Sequence, residues 1–254
     1  MISLSPATYA LLGAAGFLAG FVDSIAGGGG IITVPALLAA GLPPHLALGT
    51  NKLQSSFGSS TAALHYASEG LVDFRETLVG VAFTAVGAAA GTIGIQHVSP
   101  ALLQRAIPLL LLAVFIYVLF SPSVGGEDRK ARLSQPAFYA LFGLSIGFYD
   151  GFFGPGTGSF WALAFVAMQG LNLKSATAHT KVMNFTSNIV SLAFFALHGN
   201  VVLLPGLAMG AGEVLGALLG SKLVIVRGVR FVRVFFLAVV AATLARVVWM
   251  TYFS

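Results

Sequence analysis

Apolar residues gather in long blocks along this chain. Residues 77–104, 106–126, 151–173 and 182–212 contain no Asp, Glu, Lys or Arg. A helix crosses the hydrocarbon of a bilayer with ~20 consecutive apolar residues, so the pattern predicts several membrane spans. A glycine-interrupted apolar segment covers about 7–40, and spans follow near 46–67, 76–97 and 101–120. The same order returns at about 136–169, 176–197, 203–222 and 233–253. The expected class is an all-α polytopic membrane protein of about eight hydrophobic segments.

The polar punctuation repeats as well. Gly20-Phe21-Val22-Asp23 is followed by Gly27, Gly28, Gly29 and Gly30. Gly147-Phe148-Tyr149-Asp150 is followed by Gly154, Gly156 and Gly158. Residues 47–52 read ALGTNK, and residues 176–181 read ATAHTK. Asp23 to Asp150 is a shift of 127 and Lys52 to Lys181 a shift of 129, which a two-residue insertion in the second half reconciles. At the second shift, Gly70, Gly87 and Gly91 fall on Gly199, Gly216 and Gly220. The expected organisation is a membrane repeat over 1–121, a cytoplasmic linker over 122–135 and a second repeat over 136–254. Scattered glycines such as Gly87 and Gly91 suit close helix packing. Four glycines in a row instead break a helix, and unwound backbone survives in a bilayer only inside protein or beside water.

Composition agrees. The chain has 254 residues, 57% hydrophobic and 8% charged, against about 25% charged in soluble domains. No room remains for a sizeable soluble domain. The net charge of +5 is spread over loops with no dense basic run, so nucleic acid is not an expected partner. Cysteine is absent, which excludes disulfides, thiolate metal sites and cysteine nucleophiles. The apolar N-terminus lacks a basic start and is read as part of the mature protein. Basic residues mark the cytoplasmic side. Arg129, Lys130 and Arg132 occupy the linker, and Lys222, Arg227, Arg230 and Arg233 precede the last span. Both groups share a side only if each glycine-broken segment enters and leaves on one face, as a re-entrant or hairpin segment. Each half then adds three spanning helices, the two repeats are inverted, and both termini lie outside. Arg105 and Arg246 fit this scheme least well.

The combination GFVDSIAGGGGIITVPALL (residues 20–38), GTNKLQSSFGSS (49–60), GFYDGFFGPGTGSF (147–160) and HTKVMNFTSN (179–188) resembles the sulfite exporter TauE/SafE family of membrane permeases, in its YfcA-like branch. The resemblance covers nearly the whole chain. It implies a permease of a bacterial inner membrane that carries a small anion, often a sulfur oxyanion or organosulfonate such as sulfite, by alternating access. A lipid bilayer and a coupling proton or sodium ion are the implied partners, with no cofactor. The halves differ at Gly30 against Thr157 and Thr50 against His179.

Within the residues themselves, Lys52 and Lys181 lead the candidates. A lysine inside the hydrocarbon is expensive unless partnered, and two related by a repeat would converge on an oxyanion. Snorkelling to an interface is the alternative. Backbone N–H groups at Gly27, Gly28, Gly29, Gly30, Gly156 and Gly158 would offer an anion uncharged donors. Thr50, Asn51, Gln54, Thr180, Asn184 and Asn188 add side-chain donors, with interhelical hydrogen bonding as the alternative. Ser55 sits in register with Asn184. His179 adjoins the second lysine motif. No histidine pair shows metal-ligand spacing. Asp23 and Asp150 would neutralise the lysines, cap a helix or titrate. Glu213, whose counterpart is Thr84, would relay a proton or pair with a lysine. Two other functions stay open. An intramembrane enzyme would use Ser159 with His179 as base. An anion channel would show flux without saturation, although no charged ring suggests one.

Overall fold

The computed structural model describes residues 4–120 and 127–227. Every described element is helical: α1 (Pro6–Ala26), α2 (Gly30–Ala39), α3 (Pro44–Ser68), α4 (Leu78–Gln96), α5 (Pro100–Phe120), α6 (Gln135–Phe138), α7 (Leu144–Phe152), α8 (Thr157–Ala164), α9 (Leu173–Leu197) and α10 (Leu203–Arg227). Two π-helical turns, Tyr139–Gly143 and Phe165–Gln169, continue α6 into α7 and extend α8. The expected span at 233–253, with Arg230, Arg233 and Arg246, lies outside the described residues, as do positions 122–126 of the linker.

Local chemistry sets the boundaries. Ser5 caps α1, its Oγ accepting the Thr8 N–H, and Pro6 opens the helix where no partner for its nitrogen is needed. Asn172 caps α9 by accepting the N–H groups of Lys174 and Ser175. α3 and α9 are both 25 residues long, and both end two residues before a glycine at φ 71°. Between α1 and α2 the chain turns at Gly27 (φ 67°) and Gly28 (φ 135°), which an L side chain would strain. α2 then runs back along α1, so that Leu37 shares a cluster with Leu12 and Ile31 shares one with Val22. α8 likewise runs back along α6 and α7. Phe138 packs against Phe165 with ring centroids 5.1 Å apart, and Tyr149 meets Phe160 at 5.2 Å.

Helix directions follow from these contacts. α1, α3 and α10 run parallel: Gly16 faces Met209 and Gly20 faces Glu213, while Gly206 faces Thr50 and His65 bonds Ser221. α4, α7 and α9 also run parallel: Gly147 faces Thr84 and Gly151 faces Ala88, while Thr92 bonds Ser191. α3 and α9 cross at the centre in opposite directions. Gly49 lies against Phe195, Lys52 reaches Asn188, and Tyr66 shares a cluster with Ala176. The two groups of three helices therefore point opposite ways.

Four described helices are long and apolar enough to cross a membrane: Pro6–Ile25, Leu78–Gln96, Pro100–Tyr117 and Leu203–Val226. Their outward faces carry large exposed apolar residues such as Val86, Leu109, Leu204 and Leu215, an arrangement suited to lipid. The polar residues of α3 and α9, including Asn51, Lys52, Gln54, Lys181 and Asn184, are buried. Polarity thus sits inside and hydrophobicity outside.

Charges collect at one end. The Arg129 N–H donates to Gly170 O at 2.7 Å and the Arg132 N–H to Met168 O at 2.8 Å. Lys174 Nζ donates to Ile225 O at 2.9 Å, and Gln135 reaches Glu76 O. Arg75, Arg129, Lys130, Arg132, Lys174, Lys222 and Arg227 therefore share the end where α9 begins and α10 stops. Arg105, early in α5, is at the opposite end.

Close packing of α1 on α10 makes a prediction. A Cβ at Gly16 would run into the Met209 backbone, whereas one at Gly13 would make ordinary contact with Ala208 O at 3.5 Å. Gly16→Ala should lower the melting temperature in detergent, with a cost of roughly 1–3 kcal/mol. Gly13→Ala should leave it nearly unchanged.

Candidate functional site

The two helix breaks meet back to back. A Cβ on Gly27 would strike the Gly158 backbone, and one on Gly158 would strike Gly27 Cα. Ser159 Oγ donates to Gly27 O at 3.2 Å across the same contact. Glycine is required on both sides because the two backbones touch there.

Each break is preceded by an aspartate held by a lysine from the other half. Lys52 Nζ, on α3, donates to Asp150 Oδ1 and to Asp150 O, both at 2.6 Å, and to Asn188 Oδ1 at 3.2 Å. All three ammonium protons are used. Ser187 Oγ donates to the remaining carboxylate oxygen, Asp150 Oδ2. Lys181 Nζ, on α9, donates to Asp23 Oδ2 at 2.9 Å and also to Asp23 O. Asp23 Oδ1 accepts the N–H groups of Gly28 at 3.0 Å and Gly29 at 3.3 Å, so the carboxylate closes the break that follows it. Both lysines are buried, as is Asp150, and the Asp23 side chain is 17% exposed.

Between these pairs lies a cavity of about 20 Å³, enough for roughly one ordered water. Asp23, Asp150, Asn51, Ser55, Asn184 and Asn188 line it, together with Thr157 and the glycines Gly28, Gly30, Gly154, Gly156 and Gly158. Both breaks and both central helices therefore contribute. Behind Asn51 runs a polar chain: Thr33 Oγ1 donates to Asn51 Oδ1 at 2.5 Å, and Gln54 Nε2 donates to Asn51 Oδ1 at 2.9 Å and Ser55 Oγ at 2.8 Å. Among the described residues, Asn184 Oδ1 and Gln54 Oε1 are buried without a hydrogen-bond partner.

The helical family to which such an arrangement belongs is decided by comparison. The sequence profile of the sulfite exporter TauE/SafE family matches residues 12–247. The chain belongs to that family. It is 48% identical over 224 residues to a "Probable membrane transporter protein" of Haemophilus influenzae, covering 88% of each chain. It is 42% identical over 249 residues to "Probable membrane transporter protein YfcA" of Escherichia coli K12, covering 98% of this chain and 93% of that one. A more distant relative, "Probable membrane transporter protein YdhB" of Bacillus subtilis, is 25% identical over 210 residues, covering 82% of this chain and 85% of that one. No solved structure matches. The chain is thus a multi-pass membrane transporter of the TauE/SafE family.

Of the residues singled out in the sequence, Gly28, Gly30, Gly156, Gly158, Asn51 and Asn184 reach the cavity, beside Asp23 and Asp150. Gly27 and Gly29 sit behind that wall, against Gly158 and Asp23. Lys52 and Lys181 do not line it; each is spent on an aspartate. Four other candidates point elsewhere. Thr50 Oγ1 accepts the Val202 N–H at 3.0 Å. Thr180 Oγ1 donates to Ala176 O within its own helix. His179 Nδ1 bonds Ser175 O at 2.9 Å, and its ring packs on Phe165. Gln54 forms the layer behind Asn51. Ser187 has no counterpart hydroxyl in the first half, where Gly58 stands, so the repeat could not reveal it.

The ion pairs predict a pattern of stabilities. Removing one partner strands a buried charge, at a cost of about 3–5 kcal/mol, whereas removing both strands none. Lys52→Met should therefore depress the melting temperature strongly, and Lys52→Met with Asp150→Asn should recover part of the loss. A double variant no more stable than the single one would contradict the pairing.

Proposed function

We propose that this transporter carries a small anion, a sulfur oxyanion or organosulfonate such as sulfite, by alternating access between two inverted repeats. The repeats are 1–121 and 136–254, joined by the linker 122–135. One observation carries the reading: each half's lysine holds the other half's aspartate, and the two glycine breaks so held face one cavity. Inverted repeats whose broken helices meet at the middle of the bilayer are a recurring transporter plan.

The cavity is too small for an oxyanion, so the described conformation is the closed one. Opening has to separate the breaks, which the two ion pairs and the Ser159–Gly27 hydrogen bond join across the halves. An arriving anion competes with Asp23 and Asp150 for the ammonium groups of Lys181 and Lys52. Amides of Asn51, Asn184 and Asn188 and the freed N–H groups of Gly28 and Gly29 supply neutral donors. Neutral donors release cargo more readily than fixed charge does, which suits transport. The family's description as a sulfite exporter supports the choice of cargo. The basic end, with Arg129, Lys130, Arg132, Lys222 and Arg227, is the cytoplasmic one by the positive-inside rule. This orientation puts the start of α1 outside a bacterial inner membrane, and the span expected at 233–253 would bring the C-terminus to the same side.

Transport is favoured over catalysis by one local fact. Ser159 is bonded to Gly27 and His179 to Ser175, so the nucleophile and base that an enzyme would need are each engaged elsewhere. In proteoliposomes, sulfite or a short alkanesulfonate should be taken up saturably and should raise the melting temperature of the purified protein. Asn51→Ala and Asn184→Ala should each raise KM by roughly fivefold, the loss of one hydrogen bond of about 1 kcal/mol. Non-saturable flux, or unchanged KM in both variants, would count against this site.

A further inference from the structure

Glu213 lies on α10 with its side chain buried to 1% exposure. Two glycines make room for it. A Cβ on Gly20 of α1 would meet Glu213 Cγ, and one on Gly58 of α3 would meet its carboxyl group. Among the described residues, Glu213 Oε2 has no hydrogen-bond partner. Asp23 stands three residues beyond Gly20 on α1. Among the described residues, Asp23 and Lys181 are the charged groups within electrostatic reach of Glu213, and they already form an ion pair with each other. α3 brings no charge of its own nearby: Lys52 is six residues before Gly58 and bound to Asp150, and His65 is seven after it and bound to Ser221. On α10, Lys222 follows nine residues later.

Comparison with the other half shows what this arrangement replaces. Gly58 corresponds to Ser187, and Glu213 to Thr84. Ser187 donates its hydroxyl to the Asp150 carboxylate. At Asp23 no hydroxyl occupies that position, and the space left by Gly58 holds the Glu213 carboxyl instead. An ionised Glu213 there would be a second buried anion within reach of Asp23 and, among the described residues, would have no cation to itself, which burial penalises. A proton on Glu213 removes that charge and restores a donor on the side where Ser187 provides one in the other half.

We propose that Glu213 binds the coupling proton of this transporter, loaded in the closed state and released when the Asp23–Lys181 pair opens. The proposal rests on the transport reading above and adds its driving ion. The proton is held while the closed site is empty of cargo and leaves as the anion opens the pair, so proton and anion move in opposite directions. Among the described residues an acid stands near Asp23 and none near Asp150, so one proton moves per cycle.

Two measurements on the purified full-length protein separate this claim from the transport reading. Infrared spectroscopy at neutral pH should show the carbonyl stretch of a protonated carboxylic acid, and Glu213→Gln should remove it. In proteoliposomes with methanesulfonate as the probe, an imposed pH gradient should drive accumulation in the wild type. In Glu213→Gln, gradient-driven accumulation should fall to the level of protein-free vesicles while methanesulfonate exchange continues. Glu213→Thr, which copies the other half, should behave the same way and guards against misfolding of the first variant. An infrared band unchanged by Glu213→Gln, or accumulation that persists in both variants, would overturn the proposal. If the wild type moves no methanesulfonate, the transport reading fails for that cargo, and the infrared band then decides for Glu213.

Discussion

Two lysine–aspartate pairs, buried where a bilayer would otherwise surround them, are the constraint on which the structure turns. An isolated ammonium or carboxylate in hydrocarbon is expensive, so neither partner can lie far from the other. Lys52 sits in the first half and Asp150 in the second, while Lys181 and Asp23 reverse the arrangement. Each pair also draws in a backbone carbonyl at the end of a helix, Asp150 O or Asp23 O. The same contacts that remove the charges from lipid therefore hold both broken helices against the opposite half. Neither half can complete its own centre.

The rest of the packing serves that arrangement. Charged and amide side chains occupy α3 and α9 at the centre, so α1, α4, α5 and α10 carry the apolar surface outside them. Small residues let backbones approach at α1 on α10 and at α4 on α7, where Gly216 meets Phe17 and Gly87 meets Leu144. Dispersion across such close contacts is what holds helices together in lipid, which offers little hydrophobic drive. α5 seals the cavity from its side, with Val114 filling the space beside Gly156. The centre that results has room for about one water, and its low polarity strengthens the polar contacts within it.

Much of this was legible in the chain. The helix-breaking glycines, the matching ends of α3 and α9 and the basic loops all depend on local chemistry that a sequence displays. The expected segments within the described residues are present as helices, with Gly70 and Gly199 ending α3 and α9 in the same backbone conformation. The partners of the lysines were not legible. Equal offsets show that Lys52 corresponds to Lys181, but they do not say whether Lys52 meets Asp23 or Asp150. That depends on α3 and α9 running antiparallel, a tertiary fact. Adjacent residues on a helix also point about 100° apart. Hence Lys181 faces the centre, while Thr180 and His179, its neighbours in the motif, turn toward their own helix and Phe165. Ser187 escapes a repeat-based reading for a different reason: it is a place where the halves depart from each other, as Glu213 is, but without a charge to draw notice.

The absence of cysteine allows the central claim to be tested at one atom. Ser55 lines the cavity, and Ser55→Cys would place a lone thiol there with little change in shape. A membrane-impermeant thiol reagent should reach that cysteine from either side of a sealed vesicle, and sulfite should slow the modification from both. Modification from one side only, or a rate indifferent to anions, would contradict a cargo site opened alternately between the two halves.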